Sequence, residues 1–395
     1  MAKGSTSLLS QPIRIGTKRA SNRIVYQSME SNDADGRGRP SERTLARYRR
    51  LAEGGPGVLF VEAMSISETS RGRTNELRIR PETAESLAQL VAVIREANPE
   101  PLVLFQISHD GRNSGSFSRR VGLYPSGDPP VEVISTEEIE PIGDEVVRAA
   151  VIAAEAGADG IDFKHCHGYL FCEMLRPANR REDRYGGSFE NRTRFFAETV
   201  EKIKNEVADR SFILGCRVSA YEPFSGGIGT AGPESDREDL TEPIAFARLM
   251  EKAGMHYINV SAGGPLSVPG KADGDAVLRH FRLARTIKAA VGLPVMGATY
   301  TFFRDGDHKL EGPGLEGQPF RSVAERNISE GWVDLVGVGR QSFADPLFAK
   351  KVLSGSSEID YCTLCNGCRK LLARQQQAGC AVYDEHYRSL LVAGN

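Results

Sequence analysis

The sequence lacks the features that would mark a membrane, nucleic-acid-binding or secreted protein. Its 50 basic and 52 acidic residues leave a formal charge of −2, so no excess of one sign is present to attract nucleic acid or anionic lipid. No apolar run approaches the roughly 20 residues of a membrane-spanning helix. The N-terminal segment also lacks the apolar core of a signal peptide. These absences predict a cytoplasmic protein with neither nucleic acid nor a membrane as a partner.

Cysteine is scarce, and its placement is uneven. The chain has seven cysteines, which is too few for a disulfide scaffold. Four of them fall in one short window near the C-terminus, at Cys362, Cys365, Cys368 and Cys380. Without a secretion signal, such clustering favours a metal site over crosslinks.

Short apolar runs bounded by turn signals recur along the chain and predict eight strands. These runs are Ile24–Met29, Gly57–Met64, Leu102–His109, Gly160–Cys166, Ile213–Ala220, Tyr257–Ala262, Pro294–Thr299 and Leu335–Arg340. Helical periodicity separates many of them, at Thr83–Ala97, Asp144–Ala156, Glu190–Ala208, Glu242–Ala253, Ala276–Val291 and Ser322–Glu330. Alternating strands and helices of this number indicate the α/β class and, within it, a (β/α)8 TIM barrel.

The 395 residues exceed the roughly 250 that such a barrel typically takes. We assign the excess to loops that follow the strands and to a C-terminal tail. The long loops are predicted at Asp110–Pro141, Tyr221–Leu240, Gly264–Asp275 and Tyr300–Pro319. The predicted division is a barrel over residues 1–355 and a cysteine-bearing tail, packed on the barrel, over residues 356–395.

Polar side chains gather where predicted strands end, which is the face that carries the active site in these barrels. The candidates are Gln106, His109, Lys164, His165, His167, Tyr169 and Arg217. After the last two strands come Gly297 and the pair Gly339 and Arg340. Loops at these two places often bind phosphate, because glycine admits an anion to the backbone and arginine can hold it with two hydrogen bonds.

Several motifs together resemble the Old Yellow Enzyme family. The most specific is His167–Phe196, which contains HGYLF and YGGSFENRTRF. Further matches fall in order along the chain, at Asn22–Met29, Gln106–Arg112, Cys216–Ser219 and Val338–Pro346. The resemblance covers roughly residues 8–355.

The resemblance implies a barrel that binds FMN without a covalent link and takes hydride from NADH or NADPH. It assigns Gln106 to the pyrimidine edge of the flavin and Arg217 to the N1/O2 edge, where a guanidinium would stabilise the charge of the reduced ring. It assigns the FMN phosphate to Gly297, Gly339 and Arg340, and further flavin contacts to Met29 and Ala63.

Catalysis in such a barrel would fall on Tyr169, His167 and Lys164. The resemblance makes Tyr169 the proton donor to substrate carbon and His167 a hydrogen-bond donor to a substrate oxygen. Lys164 stands where the family usually has a histidine. It would stabilise an enolate, select an anionic substrate, or pair with a carboxylate and do neither. His165 is the alternative if the register of the loop differs.

The first strand favours a second function. Its Tyr26–Gln27 pair resembles the trimethylamine dehydrogenase branch, which links FMN to a cysteine just beyond this point. Here Glu30 and Ser31 occupy that place, so no covalent link is expected. Three hypotheses follow: reduction of the C=C bond of an α,β-unsaturated carbonyl compound, dehydrogenation of an amine, and electron transfer within a larger complex.

The four clustered cysteines lie where the trimethylamine dehydrogenase and dienoyl-CoA reductase branches hold a [4Fe-4S] cluster. Four thiolates suit such a cluster and also suit a structural zinc, and free thiols are the third alternative. A cluster would imply a separate electron-donor protein, since no room is left after the tail for the domains of those enzymes. The sequence leaves the oligomeric state open, including a homo-oligomer.

Overall fold

The protein folds around a closed barrel of eight parallel strands, as described by a computed structural model for residues 7–126, 130–263, 272–304, 310–311 and 318–393. We label the barrel strands β1 (Ile24–Tyr26), β2 (Val58–Ser65), β3 (Leu102–Ser108), β4 (Gly160–His165), β5 (Ile213–Ser219), β6 (Tyr257–Ser261), β7 (Val295–Gly297) and β8 (Leu335–Val338). Each strand pairs with the next in the chain, and β8 closes on β1. The predicted (β/α)8 barrel is confirmed.

Helices surround the barrel and continue into the tail. They are α1 (Glu42–Glu53), α2 (Ala84–Ala97), α3 (Thr136–Glu155), α4 (Phe189–Glu206), α5 (Thr241–Lys252), α6 (Gly274–Ala290), α7 (Phe320–Ser329), α8 (Phe348–Leu353), α9 (Gly367–Ala373) and α10 (Glu385–Ala393). Two short helices, Leu170–Leu175 and Arg340–Ala344, follow β4 and β8 directly. In the part of the chain that is described, no helix has the length and apolar character needed to cross a bilayer.

The sequence predicted six of these ten helices; α1, α8, α9 and α10 were not predicted, and α3 begins earlier than expected. Helix α3 begins at Thr136, inside the loop predicted at Asp110–Pro141, because Ser135 caps it in a reciprocal box with Glu138. Pro141 lies in the second turn, where it removes one backbone hydrogen bond without ending the helix. Helix α1 was not predicted. Its signal was an N-terminal box of Ser41 with a threonine three residues later, in place of the usual glutamate.

Three predicted loops are described only in part, and residues 127–129 of the loop at Asp110–Pro141 lie outside the described residues. Residues 264–271 of the loop at Gly264–Asp275 lie outside the described residues, as do residues 305–309 and 312–317 of the loop at Tyr300–Pro319. A short parallel pairing joins Ala272–Asp273 to Leu310–Glu311. It ties the loop after β6 to the loop after β7.

The barrel interior changes from apolar to polar along its axis. At the N-terminal end, Phe60, Leu104, Ile213 and other buried side chains form one cluster. A hairpin of Ile13–Ile15 and Lys18–Ala20 closes this end. Every second residue of a strand faces the barrel interior. Toward the C-terminal ends of the strands, these inward-facing residues are polar. The fold therefore seals one end of the barrel and leaves the chemistry at the other.

A buried ion network anchors the segment that follows β1. Arg47 of α1 donates to Asp33 with two hydrogen bonds of 2.9 Å and to Glu62 of β2 at 2.5 Å. Glu62 also accepts the backbone N–H of Ser31 at 2.6 Å. Burial raises the pKa of Glu62 to about 7, although Arg47 opposes this. One arginine thus fixes α1, β2 and the loop beyond β1 to one another.

The tail forms a small helical unit against the same segment. Helices α9 and α10 enclose a cluster of Leu371, Ala378, Ala381 and Tyr387. The Ala378 N–H donates to the Ser31 carbonyl at 2.8 Å. The division at residue 355 stays a prediction, but these contacts place the tail beside the loop that follows β1.

Replacing Arg47 with methionine should destabilise the protein by about 3–5 kcal/mol, because Asp33 and Glu62 would remain buried without a cation. Loss of the Arg47 charge would raise the pKa of Glu62 further above its unfolded value, so stability would fall more steeply as the pH rises from 5 to 8. Denaturant unfolding at the two pH values measures this. Arg49→Met on the same helix is the control, because its pair with Glu96 is exposed and contributes under about 1 kcal/mol. Equal effects of the two substitutions would contradict the role of the network.

Candidate active site at the mouth of the barrel

A layer of hydrogen-bonded polar side chains crosses the barrel below its mouth. Asp162 of β4 accepts from the Gln106 amide at 2.6 Å and from the Tyr257 hydroxyl at 2.9 Å. Burial raises the pKa of Asp162, against these two donors and the nearby Arg217. Gln106, the predicted flavin contact, is therefore held by β4 and faces the barrel axis.

Arg217 is joined to this layer from the other side. Its Nη1 donates to Gln27 Oε1 at 3.1 Å, and Gln27 exchanges hydrogen bonds with the Asn259 amide at 2.8 and 3.1 Å. The Nε of Arg217 is buried and has no hydrogen-bond partner among the residues that are described. A cation with an unused donor thus faces the mouth. Gln27 and Asn259 were not predicted as site residues. Each lies two residues after an interior residue of the same predicted strand, Val25 or Tyr257, so strand alternation could have placed both inside the barrel.

The alternation of β4 separates Lys164 from His165. Lys164 faces the mouth, whereas the His165 ring lies 4.3 Å from the Phe163 ring and 5.3 Å from the Phe196 ring. Burial lowers the pKa of His165 to about 3. The alternative assignment of His165 to substrate is therefore wrong, because a shift of one residue along a strand turns the side chain to the opposite face. His109 is likewise buried, with a pKa lowered to about 4 by burial.

His167 and Tyr169 lie just beyond β4 on the mouth. The His167 backbone adopts a left-handed φ of 62°, which turns the chain over the barrel. Its Nε2 lies 2.8 Å from the Ser261 hydroxyl, and its backbone N–H donates to Ser219 at 3.1 Å. Burial, followed by Arg217 and Lys164, holds the pKa of His167 well below its usual value. Burial and nearby carboxylates hold the pKa of Tyr169 well above its own. Both groups are therefore neutral near pH 7.

Lys164 pairs with a carboxylate, one of the three roles left open above. Its Nζ lies 3.3 Å from Glu30 Oε1 and 3.3 Å from the centroid of the Tyr169 ring. Glu30 also accepts from the Tyr169 hydroxyl at 2.9 Å. Glu30 was not predicted as a site residue. Its position directly after the predicted strand Ile24–Met29 was a usable signal. The sequence comparison used Glu30 only to exclude a covalent link to FMN.

The predicted phosphate residues lie together, and some already have partners. Gly339 donates its N–H to the Thr301 hydroxyl at 3.1 Å, and a Cβ at Gly339 would lie 3.0 Å from Met29 Sδ. Arg340 donates to Asn366 of the cysteine loop at 2.6 Å. A Cβ at Gly297 would lie 2.8 Å from Val333, so packing already requires glycine there. Ala63, the remaining flavin candidate, lies within an irregularity in the pairing of β2 with β3, between Val61 and Met64.

The four tail cysteines interact, but they do not form a ready-made site for one metal ion. Cys362, Cys368 and Cys380 have pKa values raised chiefly by burial, with smaller effects from neighbouring thiols. Within the described ranges, no three histidine, cysteine or carboxylate side chains gather at a spacing that would bind a metal ion.

The loop around these cysteines has a strained backbone. Leu364 and Asn366, which flank Cys365, both have a left-handed φ of 58°. Non-glycine residues adopt this region at a cost, and they keep it where surrounding contacts impose it. The hydrogen bond from Arg340 to the Asn366 side chain is one such contact.

The residues at the mouth fit a bound flavin. The unused Nε of Arg217 supplies a donor where a reduced flavin carries negative charge, and Gly339 leaves open the space that a side chain would fill beside Met29. Gln106 faces the same space from β3.

The model of the NADH:flavin oxidoreductase / NADH oxidase family matches residues 8–301. The chain belongs to this family. The membership predicted from the motifs is confirmed. The members are flavin-dependent oxidoreductases, and FMN and NAD(P)H are the cofactors of the family.

Individual relatives match almost the whole chain. An NADH oxidase of Thermoanaerobacter brockii is 32% identical over 90% of this chain and 52% of its own length. The structure of a 2-naphthoyl-CoA reductase with 2-naphthoyl-CoA has a TM-score of 0.82 at 25% identity, over 97% of this chain and 58% of its own. A histamine dehydrogenase of Rhizobium sp. 4-9 has a TM-score of 0.77 at 26% identity, over 95% and 52%. The chain thus spans little more than half the length of these relatives.

Arg217→Met should weaken FMN binding and lower the reduction potential of any flavin retained, because the reduced ring would lose a fixed positive charge. Fluorescence titration of the apoprotein and a redox titration measure the two effects. Arg210→Met, an exposed arginine before β5, is the control. An unchanged potential in Arg217→Met would remove this residue from the flavin site.

Proposed function

We propose that this protein is an FMN-dependent oxidoreductase that reduces the C=C bond of an α,β-unsaturated carbonyl compound with NADH or NADPH. The observation that carries the proposal is the meeting of a neutral tyrosine, a neutral histidine and an arginine at the mouth. When bound, the flavin would accept hydride from the nicotinamide and deliver it to the substrate. The protein then has to hold the substrate oxygen, supply a proton and stabilise charge.

Each of these tasks has a residue of suitable charge state. His167 is neutral and would donate one ring N–H to the substrate oxygen, exchanging its contact with Ser261 for it. Tyr169 retains its proton near pH 7 and would supply it to the carbon opposite the incoming hydride. Arg217 is the cation on the flavin side. The pairing of Lys164 with Glu30 supports a role for Lys164 beside the proton donor Tyr169 rather than as a free site for an anionic substrate.

Charge at the mouth argues against the second hypothesis, an amine dehydrogenase. A cationic amine would need an unpaired carboxylate, but Glu30 already has Lys164 and Arg73 as partners. Two observations favour that hypothesis: the similarity to a histamine dehydrogenase and the Tyr26–Gln27 pair. Bleaching of the flavin by amines without NAD(P)H would favour it. Co-purification with a partner that binds NAD(P)H, and no reduction of enones, would favour the electron-transfer subunit.

Tyr169→Phe should slow the reduction of 2-cyclohexenone by the prereduced enzyme by roughly 10²–10⁴-fold, because the general acid is lost. Reduction of the flavin by NAD(P)H should be unaffected, since it needs no proton from this group. Stopped-flow measurement of the two half-reactions separates them. Tyr383→Phe, an exposed tyrosine of the tail, should match the wild type in both. Full-rate enone reduction by Tyr169→Phe would contradict the assignment.

We propose further that Cys362, Cys365, Cys368 and Cys380 hold a [4Fe-4S] cluster that receives electrons from a separate donor protein. Their placement on a loop that contacts Arg340 supports this, because Arg340 is also a candidate for the FMN phosphate. A cluster there would lie beside the flavin rather than at a distant surface.

Anaerobically purified protein should contain about four irons and four sulfides per chain, as a cluster with four cysteine ligands requires. Cys365→Ser should remove most of both, whereas Cys216→Ala, in the barrel wall, should retain them. Zinc in place of iron would indicate a structural metal. If the protein contains neither iron nor zinc and all four thiols react in a titration, the cysteines bind no metal.

A further inference from the structure

Among the described residues, Glu30 is the one acidic side chain that makes a hydrogen bond with the proposed proton donor. Its carboxylate lies one residue beyond Met29, on the segment that leaves β1. Oε1 accepts from the Tyr169 hydroxyl at 2.9 Å and faces Lys164 Nζ at 3.3 Å. Oε2 faces Arg73 Nε at 3.3 Å. The two oxygens of one carboxylate therefore bind the phenol and both neighbouring cations.

The cations also act on the tyrosine directly. Lys164 Nζ lies 3.3 Å from the centroid of the Tyr169 ring, within the distance of a cation–π contact. Tyr169 and Lys164 are almost fully buried, with 4% and 3% of their surface exposed. A charge change on the phenol is therefore felt by these groups with little screening by water.

Burial would favour a protonated Glu30, but Lys164 and Arg73 lower its pKa to about 2. The resting unit thus has one carboxylate, two cations and a neutral phenol. Asp110 is the remaining acidic group near Tyr169, and its own pKa is raised by burial and by Glu30.

We propose that Glu30 is a positioning residue for Tyr169: it aligns the hydroxyl and keeps it protonated, while Lys164 and Arg73 balance the charge. When the phenol gives its proton to a substrate carbon, its O–H bond breaks, a C–H bond forms, and a phenolate remains. The phenolate meets the two cations, which make that state accessible, and solvent returns the proton. Removing Glu30 would leave the phenol free to rotate and easier to ionise.

The proposal predicts effects of opposite sign. Loss of the negative charge in Glu30→Gln should lower the pKa of Tyr169, and loss of the positive charge in Lys164→Met should raise it. A neighbouring charge typically shifts a pKa by about 1–3 units. A merely structural disturbance would have no reason to act in opposite directions.

The test uses the holoenzyme labelled with [13Cζ]tyrosine, without substrate. Tyr169→Phe assigns the Tyr169 resonance. At pH 7.5 the phenol is neutral, so its resonance reports the strength of its hydrogen bond to Glu30. The resonance should move upfield in Glu30→Gln, because an amide is a weaker acceptor than a carboxylate, and downfield in Lys164→Met, because Glu30 loses a competing cation and becomes a stronger acceptor. Glu96→Gln, a surface carboxylate on α2 that pairs with Arg49, should leave it unchanged. An unmoved resonance in Glu30→Gln, or movement in the same direction in both variants, would overturn the proposal.

The kinetic readout depends on the proposed function and is kept separate. In Glu30→Gln the decline of the enone-reduction rate at alkaline pH (the alkaline limb) should begin at a lower pH than in the wild type. The limiting rate should fall by about tenfold or more. Flavin content and the rate of flavin reduction should be unchanged. If the protein reduces no enone, the NMR result still decides whether Glu30 controls Tyr169. A variant with the wild-type limb and rate, in an enzyme that does reduce enones, would contradict the proposal.

Discussion

The alternation of side chains in a closed parallel barrel is the constraint on which the site depends. Since all eight strands run in one direction, their C-terminal ends meet at one mouth, and only alternate residues of each strand face it. Asp162 and Lys164 therefore point inward, and His165 between them points to the helices. The same rule brings Arg217 beside Asn259, which are neighbours in the pairing of β5 with β6. Residues of the loops that follow the strands, such as Glu30, His167 and Tyr169, complete the mouth.

The axial change from apolar to polar separates stability from chemistry. The closed end is filled by side chains such as Phe60 and Leu104, which need no hydrogen-bond partner. Further along the same rows, Gln106, Asp162 and Tyr257 satisfy one another. Buried polar groups are costly unless they are paired, so this layer also forms a rigid floor. Arg217 keeps an Nε without a partner among the described residues beside this paired layer.

The sequence predicted the parts of the site that periodicity and motifs can encode. The eight strands and the inward positions of Gln106, Lys164 and Arg217 follow from local patterns. Two kinds of feature could not be found in this way. Ion pairs between distant segments, such as Lys164 with Glu30, depend on the closure of the barrel. Helix α1 depends on a capping box whose third residue is threonine, a weaker signal than glutamate.

The tail and the proton-donating side of the mouth share a backbone framework. Gln375, at the turn after α9, accepts from the Asn32 side chain at its carbonyl and from the Thr74 backbone at its own side chain. Asn32 lies two residues beyond Glu30, and Thr74 directly follows Arg73. One turn of the tail therefore braces both segments that carry the partners of the Tyr169 unit. Because Arg340 binds the cysteine loop as well, the cysteine-bearing tail contacts the mouth both at Arg340 and at the segments that carry Glu30 and Arg73. The position of Glu30 thus depends on how the tail is folded, as well as on the barrel.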